Sequence, residues 1–245
     1  MSKILFSDFD GTLFFKDGFH QEDIEAIQSF QEEGNKFALC TGRPLGGVFA
    51  TIEGKINPDY YVLCTGGLVL DKDYQVVYGQ EIPFDLVKEV CQKYEKETII
   101  GPHCLDKEHL YFAHVPNDAP KYIKQFDSID EFKDRKIYSV SLIESTRAKE
   151  ITDEINKDYP LLHAFQNVNA IDIVKKGCSK GQGILKLEEL INDETAGIGD
   201  SYNDLEMFKV VDYSFTFKTS PKDIQQQTTF VVSSVKEAVE ILKED

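Results

Sequence analysis

Four short apolar runs in this chain each give way to a polar motif, and that repeated layout restricts the fold more than any other feature. Lys3-Ile4-Leu5-Phe6-Ser7 runs into Asp8-Phe9-Asp10-Gly11-Thr12, and Lys36-Phe37-Ala38-Leu39-Cys40 into Thr41-Gly42-Arg43. Ile171-Asp172-Ile173-Val174 is followed after a turn by Ser179-Lys180-Gly181, and Thr195-Ala196-Gly197-Ile198 runs into Gly199-Asp200-Ser201-Tyr202-Asn203-Asp204. Short apolar runs bounded by turn residues read as strands of a buried parallel sheet, and ligands of open α/β sheets gather beyond the carboxyl ends of such strands. The four motifs are therefore expected to converge on one crevice.

Between the runs, strand and helix alternate up to about residue 80, which predicts β-α-β units with right-handed crossovers. Leu13 to Phe19 reads as a small hairpin. A helix carrying Ile24, Ile27 and Phe30 ends at Gly34, and a second runs from about Val48 to Ile56. Tyr60 to Cys64 is expected as a third strand, and Leu68 to Tyr78 as a hairpin about Asp71-Lys72-Asp73. Near Pro83 the pattern changes. Leu86 to Glu95 reads as a helix, Thr98 to Cys104 and Leu110 to Val115 as paired strands, and Tyr122 to Phe132 as mostly helix. Ile137 to Ile143 then reads as a strand, Ala148 to Asn156 as a helix and Leu161 to Ala164 as a strand. Helices over Lys180 to Ile191, Asp204 to Val210 and Val235 to Leu242, with strands near Ser214 to Phe217 and Phe230 to Val232, complete the prediction. The expected fold is α/β, a Rossmann-like parallel sheet core over 1–81 and 171–245 with an inserted α+β cap domain over 82–170.

Asp8 and Asp10 stand two residues apart, so at an extended strand end both side chains fall on one side of the chain. One carboxylate suits attack on phosphorus; a second suits proton transfer to the leaving oxygen and from water. Taken alone, Asp-x-Asp-Gly also fits a simple turn. Asp200, Asn203 and Asp204 add further acids after a run of small residues. Two carboxylates about 4 Å apart repel by about 4 kcal/mol at an effective dielectric of about 20, so such a cluster calls for a cation. All-oxygen ligands beside phosphate suit Mg²⁺. Thr41 and the backbone N–H groups of Gly42 and Arg43 offer donors to phosphate oxygens, and Lys180 places a point charge at a helix start. Singly, Thr41 also fits a turn and Lys180 a surface lysine.

In this order, the motifs resemble those of the haloacid dehalogenase superfamily of phosphohydrolases, in particular the Cof-type branch with a large cap between the second and third motifs. The resemblance covers nearly the whole chain. It implies Asp8 as nucleophile, Asp10 as general acid/base, and Mg²⁺ held by Asp8, the backbone carbonyl of Asp10 and Asp200. It further implies Thr41, Gly42 and Lys180 on the transferring phosphate, with Asn203 and Asp204 ordering the metal and Lys180. Arg43 matches the residue after the second motif and serves either the cap or the phosphate. Thr65-Gly66-Gly67 departs from the Asn-Gly of many relatives. The implied activity is Mg²⁺-dependent hydrolysis of small phosphate esters, sugar phosphates foremost, through an aspartyl phosphate. A phosphomutase of the same superfamily is the alternative, and a receiver-like signalling domain is disfavoured by the insertion and by Asp8-x-Asp10. A catalytically idle binding protein is disfavoured because every chemical position is filled.

The formal net charge of −16 opposes binding to nucleic acid or an anionic membrane surface. Met1-Ser2-Lys3 enters the first strand directly and no apolar run reaches the roughly 18 residues of a span, so a cytoplasmic monomer or weak homodimer is expected. The five cysteines are scattered without a Cys-x-x-Cys pair and read as reduced thiols. Among cap residues, His103, His109, Tyr111, His114 and Lys121 are candidates for touching a leaving group or for ordinary packing.

Overall fold

The computed structural model describes residues 2–244. In chain order the elements begin β1 Lys3–Ser7, β2 Phe14–Phe15, β3 Gly18–Phe19, α1 Gln21–Glu32, β4 Lys36–Cys40, α2 Leu45–Ile52, β5 Tyr60–Leu63, β6 Leu68–Asp71 and β7 Val76–Gly79. Next come α3 Phe84–Tyr94, β8 Ile99–Cys104, β9 Leu110–Phe112, β10 Ile123–Gln125, β11 Ile137–Ile143, α4 Ala148–Asp158, β12 Leu162–Asn167 and β13 Ala170–Lys175. The last are α5 Lys180–Glu188, β14 Glu194–Ile198, α6 Leu205–Phe208, β15 Tyr213–Phe217, α7 Lys222–Gln225, β16 Phe230–Val232 and α8 Val235–Glu244.

The chain divides into two compact units, the first of Met1–Thr41, Glu53–Tyr78 and Ser179–Asp245, the second of Gly42–Ile52 and Gly79–Cys178. In the first, an eight-stranded sheet has the order β16-β15-β14-β1-β4-β5-β6-β7. The six strands from β16 to β5 pair in parallel; β6 turns back antiparallel on β5. Every residue of β1 is buried, as a central parallel strand covered on both faces requires. Register then sets the site: Ser7 lies opposite both Ile198 and Leu39, so β1, β14 and β4 end at nearly the same level. Their next residues leave the sheet together.

The second unit holds a four-stranded antiparallel sheet, β12-β13-β11-β8. Ile100, Val140, Leu142, Ile171, Ile173, Leu162 and Ala164 from its strands pack with Val87, Val90, Ile151 and Ile155 from α3 and α4. The alternation of apolar and polar residues thus places one sheet face on helices. Among the described residues, no helix is long and apolar enough to cross a membrane.

Several expectations are corrected. The third apolar run, Ile171 to Val174, is not a strand of the parallel sheet; as β13 it pairs antiparallel with β11 and β12. Its sequence reads the same because a middle strand of either sheet is apolar. The helix expected over Val48 to Ile56 runs from Leu45 to Ile52, since Pro44 starts it by accepting from Gly47 and Val48, and Gly54, at φ +72°, lies beyond its end. Tyr122 to Phe132 is not mostly helix: it forms β10 and then a single 3₁₀ turn, Ile129–Phe132, opened by a capping box between Ser128 and Glu131. β9 pairs with β10, while β8 pairs with β11. The Asp106 side chain takes the N–H groups of Glu108 and His109, so the chain turns and the strand restarts out of ladder with β8. α7 was not anticipated. Finally, the second unit is wider than 82–170, and it gains 42–52 because Gly46 lies so close to the loop below β8 that a Cβ there would stand 2.8 Å from His109 O.

Candidate active site

Asp8 directly follows β1, and its N–H continues the sheet by donating to Ile198 O at 2.9 Å. Phe9 is fully buried and stacks on Phe14, with Phe19 edge-on, which seats the β2–β3 hairpin just beyond the strand end. Gly11 has φ +84°, and a Cβ on it would stand 2.9 Å from Asp200 Oδ2. Only glycine permits this approach of the first motif to the fourth. Thr12 then donates its hydroxyl to Asp200 Oδ1 at 3.1 Å.

Lys180 opens α5 behind the N-cap Ser179, whose hydroxyl accepts from Gln182 N. Its ammonium donates to Asp8 Oδ1 at 2.5 Å and Asp204 Oδ1 at 2.6 Å. Asp8 is 4% exposed, Lys180 1% and Asp204 0%, so these charges meet away from water. The second Asp204 oxygen accepts from the N–H groups of Asp200 and Ser201, each at 3.0 Å. Gly199 makes room for it: a Cβ there would lie 2.3 Å from Asp204 Cγ. Asp204 is thereby fully occupied as a structural acceptor.

Oxygens of Asp8, Asp200 and Asp204 lie within 4.8 Å of one another. Burial pushes the Asp8 carboxyl up to about 6, with Lys180 opposing and Asp204 adding to the rise. Burial and the charge of Asp8 push Asp200 up to about 6 as well, against the Thr12 hydrogen bond. Burial works against the Lys180 charge, but Asp204 and Asp8 hold its pKa well above the ordinary lysine value. Three carboxylates and one ammonium leave a formal −2 (3 negative minus 1 positive). A divalent cation would balance that sum. Both Asp204 oxygens are engaged, one by Lys180 and one by the Asp200 and Ser201 N–H groups, whereas Lys180 takes one oxygen of Asp8, so Asp8 and Asp200 are the side chains that could hold it. The donor set, all oxygen with few protein carboxylates, fits Mg²⁺.

The other expected residues are distributed as follows. Asp10 is exposed on the turn after Asp8, where it makes a bridge with Phe14. Thr41 is buried at the end of β4, its N–H donating to Val62 O and its carbonyl accepting from Thr65 N. Gly42 and Arg43 belong to the second unit's 42–52 segment, where Arg43 Nη1 donates to Gly47 O at 3.2 Å. Asn203 is exposed on the turn Tyr202–Asp204. In the second unit, Tyr111 donates to Asp106, and His103 is buried with Nε2 on Ser141 Oγ at 2.9 Å. Thr12, inside the first motif, is a partner of Asp200 that residue order alone does not reveal, and the same holds for the glycine contacts that let the acids approach.

Residues 5–240 match the haloacid dehalogenase-like hydrolase family. The chain is similar to the 5-amino-6-(5-phospho-D-ribitylamino)uracil phosphatase YwtE of Bacillus subtilis, 23% identical, with 95% of this chain and 93% of that protein covered. In structure it is similar to a haloacid dehalogenase-like hydrolase from Bacteroides thetaiotaomicron, with TM-score 0.85, 17% identity, and 99% of this chain and 100% of that chain covered. It is also similar to the subclass IIB sugar phosphatase BT4131, with TM-score 0.76, 20% identity, and 99% and 98% of the two chains covered.

Proposed function

The chain belongs to the haloacid dehalogenase-like hydrolase family and is a phosphoric monoester hydrolase, and from that premise we propose that it hydrolyses small phosphate monoesters with Mg²⁺ through an aspartyl phosphate on Asp8. The observation that carries this reading is the buried Asp8–Lys180–Asp204 array with Asp200 beside it and a formal −2 to balance. Sugar phosphates are the favoured class, supported by two similar proteins whose names specify a phosphorylated ribityl group and a sugar.

Mg²⁺ bound by Asp8, the Asp10 carbonyl and Asp200 would neutralise charge on the phosphate oxygens. Lys180 fixes one oxygen of Asp8. The other oxygen attacks phosphorus while the bond to the leaving oxygen breaks. Asp10, exposed on its turn, gives a proton to that oxygen. It then takes a proton from the water that attacks the acyl phosphate, which releases inorganic phosphate and restores Asp8. The Thr41 hydroxyl and the Gly42 N–H bind the remaining phosphate oxygens, and Asn203 supports the metal from its turn. Selectivity among esters is assigned to the inserted unit. A cytoplasmic monomer or weak homodimer completes the reading.

Phosphate release from a broad panel of metabolite esters tests it. Turnover is expected with Mg²⁺, loss in EDTA, recovery on restoring Mg²⁺, and inhibition by Ca²⁺, whose larger and looser shell does not hold the attack line. Full turnover in chelator with no bound metal would refute the metal's part.

A further inference from the structure

The turn after β5 holds an unusual backbone. Cys64, Thr65 and Gly66 stand in succession at φ 51°, 52° and 81°, all in the left-handed region. Threonine is β-branched and rarely enters that region, so the turn is strained at a place where a reversal could be made more cheaply. It is held by Thr65 N–H on Thr41 O at 3.2 Å and Gly67 N–H on Cys64 O at 2.9 Å.

The conformation brings Gly66 against the start of α5. A Cβ on Gly66 would stand 1.9 Å from Ser179 O, 2.6 Å from Ser179 C and 3.3 Å from Gly183 N. From the helix side, a Cβ on Gly183 would lie 3.0 Å from Gly66 Cα and 2.6 Å from Val62 Cγ1. On another side of the same turn, a Cβ on Gly181 would lie 2.1 Å from Glu206 O of α6. Glycine inside a helix weakens it relative to alanine, so two of them in the first turn of α5 work against local helix stability. Close seating accounts for them. Lys180 lies between these contacts, and the depth at which this turn sits sets where its ammonium reaches Asp8 and Asp204.

We infer that the left-handed turn Cys64–Thr65–Gly66 is a positioning element for Lys180, acting through backbone contact of Gly66 with Ser179. This rests on the role given to Lys180 above. Any side chain at Gly66 lifts the start of α5 and withdraws the ammonium, so the phosphate site loses its charge without losing a catalytic residue.

The test compares Gly66→Ala with Gly34→Ala in the full chain, using inorganic phosphate affinity with Mg²⁺ present and kcat and KM on one phosphate ester. Gly34 has φ +89° and, among the described residues, nothing within 4 Å of its missing Cβ, so its substitution imposes comparable backbone strain without the contact. At a temperature where both variants are folded, Gly66→Ala is expected to lose at least tenfold in kcat and about tenfold in phosphate affinity, and Gly34→Ala to stay within twofold. In a Lys180→Ala background, Gly66→Ala is expected to cost no further phosphate affinity. Equal behaviour of the two glycine variants, or additive losses with Lys180→Ala, would overturn the inference. If Gly66→Ala does not fold, Gly183→Ala takes its place, because its Cβ would press on the same seat from the helix side, 3.0 Å from Gly66 Cα; unchanged phosphate affinity in that folded variant overturns the inference equally. Normal phosphate affinity in Lys180→Ala alone would instead refute the role of Lys180.

Discussion

Asp8, buried in the first unit, and Asp172, half-buried in the second, are both carboxylates drawn out of water, and the protein treats them in opposite ways. Asp8 meets Lys180, which is itself shared with Asp204, so the charge is kept and compensated. Among the described residues, Asp172 receives only the Ser141 hydroxyl at 2.8 Å, and Ser141, its proton so used, accepts from His103 Nε2–H at 2.9 Å. With no cation beside it, burial simply raises the Asp172 pKa, and burial likewise pushes His103 down to about 4. The first arrangement preserves a nucleophile; the second favours neutral groups. Among the described residues, His103 Nδ1 and Ser139 Oγ, cross-strand neighbours, are buried without a hydrogen-bond partner, which marks the second network as less completely satisfied.

The contrast is broken most severely at Asp8. Asp8→Asn is expected to keep the fold and lose at least about a thousandfold in turnover, because an amide of the same shape still accepts from Lys180 but does not attack phosphorus. Phosphate release together with circular dichroism checks this; retained turnover would remove the covalent step.

Next in size is Lys180→Met, which leaves Asp8 and Asp204 buried without their counter-charge. Urea unfolding in EDTA should show a loss of about 3–5 kcal/mol, the usual cost of removing one partner from a buried ion pair. Part of that loss should return with Mg²⁺, which binds only the folded chain. A loss under about 1 kcal/mol would mean that the array is not held by pairing.

His103 sharpens the other side. Its folded pKa lies below the unfolded value of 6.5, so the native state binds fewer protons, and stability present above pH 6.5 is lost as pH falls towards 4. The group should contribute a fall of about 2–3 kcal/mol over that interval. His103→Gln should flatten the slope between these limits, measured as unfolding free energy against pH.

The smallest effect is expected at Asp172, whose pKa shift has the opposite sign. A raised folded pKa means that the native state binds more protons, so stability falls as pH rises above the unfolded value of 3.8. Asp172→Asn keeps an acceptor for Ser141 and removes the charge. It should therefore gain up to about 1 kcal/mol at pH 7, with the gain vanishing below pH 3.8. A loss at pH 7 would show that Asp172 is held ionised, as Asp8 is.

Much of this was readable along the chain. β1 and β4 are buried apolar runs that end in their motifs, and α1 buries the anticipated Ile24, Ile27 and Phe30. Asp8, Asp200, Asp204 and Lys180 were identifiable as chemical groups from residue type and order. Ile171 to Val174 was misassigned for a physical reason: a run of that length states that a strand is covered, but not which sheet covers it. Tyr122 to Phe132 was misread because its apolar spacing suits a helix, while the Ser128–Glu131 capping box starts the turn too late for one.

Which groups are available, and roughly where strands end, follow from the chain's residue order, since apolar periodicity and turn chemistry are local properties. Tertiary structure alone decided that Lys180 is shared between Asp8 and Asp204, that Asp204 is consumed as an acceptor, and that 42–52 joins the second unit. It also decided which glycines are indispensable. A missing Cβ at Gly11 or Gly66 has meaning only through an atom far away in sequence, at Asp200 or Ser179. Such contacts depend on distances across the fold, and no local pattern in the chain encodes them.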